Sequence, residues 1–187
     1  MSRLFFALLP GLEQSSALTE WVSPLVAQAK AVPVPPENLH ATLCFVGEVV
    51  EEQVGALRAA AASMRAPSVS LCFDMLERWE KPRILCATAS ESPTAASELA
   101  MALATAALAA GFSPDLKPFR AHLTLGRKVS AEAAAPLNLP RQIPVPLRLR
   151  CEQFVLMQSR REESRSIYSV VDRWLLDSGE TQCLASK

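Results

Sequence analysis

Apolar and polar positions divide the chain into short segments. Leu4 to Leu9 is an unbroken apolar run closed by Pro10-Gly11. It is shorter than the ~7–15 apolar residues of a secretory signal and predicts a buried first strand. From Leu12 to Lys30, Leu18, Trp21, Val22, Leu25, Val26 and Ala29 form one helical stripe. Pro24 inside that stripe predicts a kink or a break. Val32 to Glu37 holds three prolines and reads as an extended loop, followed by a strand over Asn38 to Val46. A second amphipathic helix is predicted over Glu51 to Met64, with Val54, Leu57, Ala61 and Met64 on its apolar face.

Val69, Leu71, Phe73 and Met75 alternate with Ser68, Ser70, Cys72 and Asp74, the pattern of a half-buried strand. Ile84 to Thr88 reads as a further short strand. Ser92 then reads as an N-cap with Pro93 at the first helical position, and Gly111 closes an alanine-rich helix over Ala95 to Ala110. That run is too short, and too dotted with Ser, Thr and Glu, for the ~20 apolar residues of a membrane span. Phe119 to Arg127 is predicted as a strand, Pro136 to Pro146 as a proline-rich loop, and Val145 to Arg150, Cys151 to Gln158 and Ser166 to Val171 as strands. Trp21, Trp174 and most Phe residues are expected in the core. Strands and helices mix without a strict βαβ rhythm, which predicts an α+β fold with antiparallel sheets.

Composition narrows the function. A chain of 187 residues is one ordinary domain, or one domain of two similar lobes. Lys plus Arg and Asp plus Glu are each 19, so the net charge is +0. A protein that held long duplex nucleic acid mainly by charge would be basic, so a nucleic-acid partner should be a short end or a small ligand. Cys44, Cys72, Cys86, Cys151 and Cys183 are scattered, form no C-x-x-C pair, and fit reduced thiols in a cytosolic compartment. With two histidines and no adjacent cysteine pair, structural zinc is not supported. No Walker-type loop occurs, which argues against nucleotide-triphosphate chemistry.

The two histidines sit in one repeated tetrapeptide: His40-Ala41-Thr42-Leu43, and His122-Leu123-Thr124-Leu125, 82 residues later (122 − 40). Given the first copy, the second arises by chance on the order of one time in a few hundred. The repeat reads as a weak internal duplication. On a strand, His40 and Thr42 share one face, opposite Leu39, Ala41, Leu43 and Phe45; Arg120, His122 and Thr124 share one face, opposite Phe119, Ala121, Leu123 and Leu125. Two facing lobes would bring two imidazoles and two hydroxyls to one cleft. Imidazoles titrate near ~6.5, so one can accept a proton while the other gives one. Hydroxyls suit the non-bridging oxygens of a phosphate, and in-line displacement at phosphorus needs such a set.

A lone strand histidine is more often structural, but here both copies together consume every histidine in the chain. Arg148, Arg150, Arg160, Arg161 and Arg165 read as a solvated edge paired with Glu162 and Glu163 rather than as an RNA contact. Trp79, placed in a loop between Arg78 and Glu80, could stack on a base or simply be an exposed loop tryptophan.

These residues resemble the two-histidine phosphoesterase superfamily, specifically the bacterial RNA 2',3'-cyclic phosphodiesterases, also called 2'-5' RNA ligases. The likeness rests on both H-x-T-L motifs, on Arg3-Leu4-Phe5-Phe6-Ala7, on Glu37 to Glu48, on Phe119 to Arg127, and on Phe154-Val155-Leu156 with Ser159, Tyr168 and Trp174-Leu175-Leu176. Ala121 stands where many members carry Pro. The resemblance implies one bilobal domain over 1–187: two small antiparallel sheets with flanking helices, a pseudo-twofold duplication and a central cleft. It implies hydrolysis of an RNA 2',3'-cyclic phosphate end to a 2'-phosphate, with no metal or nucleotide cofactor. By the same carry-over His40 is the proton donor, His122 the proton acceptor, and Thr42 and Thr124 hold the phosphate; Arg127 matches a recurring family Arg, and Arg120, on the His122 face, is a further candidate auxiliary. Strict alternation puts Arg127 on the face opposite His122, so either a bulge or a strand-end turn brings it in or its role is structural. The expected partners are RNA ends or small nucleotides and no membrane, on a cytoplasmic monomer. Reverse ligation is expected to be minor beside hydrolysis. Two alternatives remain: a phosphodiesterase on 2'-5'-linked oligonucleotides or small cyclic nucleotides, and an RNA-end-binding module without turnover.

Overall fold

The computed structural model describes residues 2–162 and 165–177. The chain forms two antiparallel sheets. β1 (Ser2–Leu8), β3 (Ala41–Val49), β8 (Gln153–Glu162) and β9 (Arg165–Leu175) make a four-stranded sheet in the order β3-β1-β8-β9. β2 (Val32–Pro33), β4 (Val69–Trp79), β5 (Ile84–Thr88), β6 (His122–Arg127) and β7 (Arg141–Cys151) make the other, in the order β2-β6-β5-β4-β7. The helices are α1 (Leu12–Gln28), α2 (Val54–Ala62), α3 (Thr94–Ala109) and the single turn α4 (Ala131–Ala134).

The expected duplication is visible as two strand–helix–strand units, β1-α1-β3 and β5-α3-β6, each with its two strands paired antiparallel. The helices are exchanged: α1 packs against β6 of the opposite sheet, and α3 against β3. One apolar core therefore runs through both sheets, with Leu4, Phe6 and Leu8 joined to Leu18, Val22, Leu43, Leu71, Leu99, Leu103, Leu123 and Leu125. β1 lies between β3 and β8 and is covered on both faces from Leu4 to Leu8, which is why that stretch is continuously apolar. Leu4, Phe6 and Leu8 face the main core; Phe5 and Ala7 face a smaller cluster with Val155 and Met157.

Several sequence expectations change. α1 is continuous through Pro24. The Val32–Glu37 stretch contains the edge strand β2 and leads into a 3-10 turn, Pro36–Asn38. The N-cap of α3 is Pro93, not Ser92, whose hydroxyl instead accepts from Ala121 N and donates to Phe119 O. Gly111, at φ +87°, closes α3 as expected, with Gly111 N on Leu108 O and Phe112 N on Ala107 O. The strand begun near Ser68 continues to Trp79, so Trp79 is in β4 and not in a loop. The Pro136–Pro146 loop is replaced by β7 from Arg141. Its Pro144 and Pro146 lie in a register break opposite Asp74 on the sheet's outermost strand, where a missing N–H costs no ladder bond. The last strand runs to Leu175. Trp21 keeps 37% of its surface exposed and is not a core residue, whereas Trp174 packs on Phe154 and Phe6. Arg150 pairs with Glu152 at 3.2 Å. The pairings expected of Arg161, Arg165, Glu162 and Glu163, and the state of Cys183, lie outside the described side chains.

Gly126 marks a close approach between elements. A Cβ there would lie 2.8 Å from Ala31 Cβ, where β2 meets β6. Gly126→Ala is therefore expected to lower unfolding free energy by about 1–3 kcal/mol through overpacking. Urea titration checks this; an unchanged midpoint would mean that the Ala31 segment moves aside freely.

Candidate active site

Each H-x-T-L segment carries the same irregularity. In β3, Phe6 pairs with Cys44 and Ala7 with Thr42, which leaves Leu43 as an extra residue. In β6, Leu85 pairs with Gly126 and Cys86 with Thr124, which leaves Leu125 as an extra residue. A one-residue bulge inverts the alternation beyond it. Two residues further on, Phe45 pairs with Phe5 and Arg127 pairs with Ile84. Phe45 therefore joins the His40 face, contrary to the strict alternation expected from sequence, and Arg127 joins the His122 face by the bulge that its recruitment required.

His40 immediately precedes β3. Its Nδ1 lies 2.7 Å from the carbonyl oxygen of Asn38. A carbonyl only accepts, so Nδ1 carries a hydrogen and donates, leaving Nε2 for the cleft. The ring is held by Phe5 at 5.0 Å and by Tyr168 at 5.2 Å between centroids. The Tyr168 hydroxyl accepts from Arg127 Nη2 at 2.7 Å, which links β9 of one sheet to β6 of the other across the cleft.

His122 opens β6 and repeats the arrangement: Nδ1 donates to Arg120 O at 2.9 Å. Its ring lies 4.7 Å from that of Trp79. Trp79 Nε1 donates to Glu77, and the Arg120 guanidinium sits 5.1 Å from the indole centre and donates to both Glu77 oxygens. Thr88, cross-strand from His122, donates its hydroxyl to the same carboxylate.

The imidazoles are held neutral. Burial pushes His40 down to about 4; its bond to Asn38 opposes this, and the charges of Arg127 and His122 add to it. Burial also lowers His122, opposed by its bond to Arg120 O and aided by the Arg120 charge. Arg127, on β6 with His122 and Thr124, bonds to Tyr168, which packs on the His40 ring, so the β6 motif is tied through Tyr168 to the surroundings of His40. Thr42 and Thr124 are half-buried, and neither hydroxyl has a protein partner among the described residues. Among the described residues no three His, Cys, Asp or Glu side chains gather in one place.

The structure brings His40, His122, Arg127 and Arg120 into this cluster. Arg120 is engaged with Glu77 and Trp79. Glu77 and Phe5 were not legible as site residues. Both are ordinary strand residues in sequence, and only cross-strand register puts them beside a histidine. Trp79, read from sequence as a base-stacking or exposed loop tryptophan, is instead half-buried with its N–H bonded to Glu77.

A family model described as LigT like Phosphoesterase matches residues 11–86 and 88–168. The RNA 2',3'-cyclic phosphodiesterase of Escherichia coli (strain K12) is 30% identical over 177 residues, 93% of this chain and 96% of that protein. The RNA 2',3'-cyclic phosphodiesterase of Bacillus subtilis (strain 168) is 28% identical over 136 residues, 70% of this chain and 73% of that protein. Among solved structures, Escherichia coli LigT complexed with 3'-AMP superposes with a TM-score of 0.80 at 28% identity, covering 94% of this chain and 98% of that one.

The depressed histidines set a sign for stability. Unfolded imidazoles take up protons near ~6.5, but folded His40 does so only near 4. Between those values the unfolded chain binds more protons, so acidification favours unfolding. The urea midpoint should fall as pH drops from about 6.5 toward 4, and less steeply in His40→Gln. A midpoint flat across that window would contradict an enclosed, neutral His40.

Proposed function

The chain belongs to the LigT-like phosphoesterase family, and on that footing we propose that it hydrolyses RNA 2',3'-cyclic phosphate ends to 2'-phosphate ends by paired-histidine acid–base catalysis. The observation that supports this reading is the matched pair of Nδ1–H to carbonyl bonds, which leaves Nε2 of each imidazole as the nitrogen available for proton transfer. His122 Nε2 takes a proton from water as its oxygen bonds to phosphorus. The bond from phosphorus to the 3' oxygen breaks, and His40 Nε2 supplies that oxygen with a proton. Thr42 and Thr124 donate to the non-bridging oxygens, and Arg127 offsets the charge gathering there.

The surroundings of the two rings support these roles. Burial renders a protonated His40 a strong acid, and the charge of Arg127, which makes no ion pair with a carboxylate among the described residues, adds to this. The anionic substrate offsets that charge and eases protonation of His40 on binding. The Arg120 charge near His122 is offset in part by Glu77 at 2.7 Å, which suits a ring that must become positive during attack. The reverse reaction, joining a 2',3'-cyclic end to a 5'-hydroxyl, follows from microscopic reversibility and is expected to be minor against water. The site is assembled from one chain, which fits a working monomer. The free thiols of Cys44, Cys72, Cys86 and Cys151 fit the cytoplasm.

Incubation of a 2',3'-cyclic-phosphate-ended oligonucleotide in EDTA should yield a 2'-phosphate product. His40→Ala and His122→Ala should each lower turnover by at least ~10² with little change in binding. A 3'-phosphate product would reverse the donor and acceptor. Binding without turnover would leave an RNA-end-binding module, and faster cleavage of 2'-5'-linked oligonucleotides or small cyclic nucleotides would change the substrate.

The pH profile has a definite sign. The reaction needs one charged and one neutral ring, and above about 6.5 both are neutral. Plots of kcat/KM should therefore be bell-shaped and fall up to about tenfold per unit on the alkaline side of ~6.5. A flat profile from about pH 5 to 8 would argue against the paired imidazoles.

A further inference from the structure

Glu77 lies on β4, and its carboxylate collects donors from three strand segments. Oε1 accepts from Thr88 Oγ1 on β5 at 3.0 Å and from Arg120 Nη2, just before β6, at 2.7 Å. Oε2 accepts from Trp79 Nε1 at 2.7 Å and from the same Arg120 nitrogen at 2.8 Å. Each oxygen thus has two donors, which fills the usual acceptor capacity of a carboxylate. Burial alone would raise the Glu77 carboxyl, but the bonds from Trp79, Thr88 and Arg120 and the Arg120 charge outweigh it and hold the group below its ordinary value. Glu77 is therefore charged, saturated and only 19% exposed in its side chain, so it has nothing left with which to touch a substrate.

What it holds is the frame of His122. Trp79 supplies the ring against the imidazole, and the Arg120 peptide supplies the carbonyl that takes the His122 Nδ1 hydrogen. Resting on the function proposed above, we propose that Glu77 is the positioning residue of the His122 half, fixing both the aromatic wall and the carbonyl that aim His122 Nε2 at the attacking water. Among the described residues the His40 half has no such carboxylate: its ring is set by Phe5 and Tyr168, and its carbonyl comes from Asn38. The two near-symmetric repeats thus differ in what orients them.

The test is Glu77→Gln, which keeps the shape but replaces one acceptor oxygen with an NH2 group and removes the charge. The charged and titratable groups around His122 are Arg120 on its own segment, Glu77 on β4, Cys86 on β5, and His40 with Arg127 across and along the cleft. Without Glu77 the Arg120 charge is unbalanced. The imidazole NMR titration of His122 should move to lower pH while that of His40 stays in place. On a cyclic-phosphate-ended dinucleotide, kcat should fall by about tenfold or more with KM within about threefold. An unmoved His122 titration with unchanged kcat overturns the proposal. So does an equal displacement of both histidines with a lowered melting temperature, since that is general loosening. The titration reads Glu77 without any turnover, so a wild-type chain inactive on this substrate would sink the proposed reaction and leave the positioning role still measurable. If the Gln variant does not fold, Trp79→Phe keeps a ring on His122 and deletes one bond to Glu77. It should lower kcat several-fold, and unchanged kcat with an unmoved His122 titration overturns the proposal.

Discussion

The site depends on one backbone irregularity used twice, the extra residue at the fourth position of each H-x-T-L segment. Without it, a strand that shows His and Thr to the cleft would bury whatever stands five residues beyond the histidine. The bulges at Leu43 and Leu125 invert that rule and deliver Phe45 and Arg127 to the reacting face. Both leucines stay in the main core, so the irregularity is held by apolar burial on the far side of each strand.

The same device produces asymmetry. Phe45 and Arg127 occupy equivalent positions, yet one is an aromatic ring stacked on Phe5 and the other a cation. Arg127 reaches across to Tyr168, which packs on both His40 and Phe5. A charge contributed by one half thus acts on the histidine of the other. Two motifs that are almost identical in sequence come to hold imidazoles in different electrostatic surroundings, as the proposed division into an acid and a base requires.

The exchanged helices make this cross-talk mechanically firm. α1 backs β6 and α3 backs β3, so neither sheet keeps its core without the other half of the chain. His40 and its neighbours Phe5 and Phe45 stand outside the main core that the helices cover. There, side-chain bonds such as those of Glu77 and Tyr168 do the positioning that the core does elsewhere.

By itself, the sequence determined the α+β class, the strand and helix order around both motifs, and the identity of His40, His122, Thr42 and Thr124 as one repeated constellation, because alternation and helical spacing are local properties that the residues state directly. It misplaced β7, since prolines read as a loop unless the strand's outer position and register break are known. It misplaced Phe45, since nothing in Leu43 announces a bulge. Glu77 and the partners of Arg127 could not be read at all: Glu77 meets Arg120 across 43 positions of chain and Arg127 meets Tyr168 across 41, and those meetings exist only once cross-strand register and the packing of two sheets are fixed.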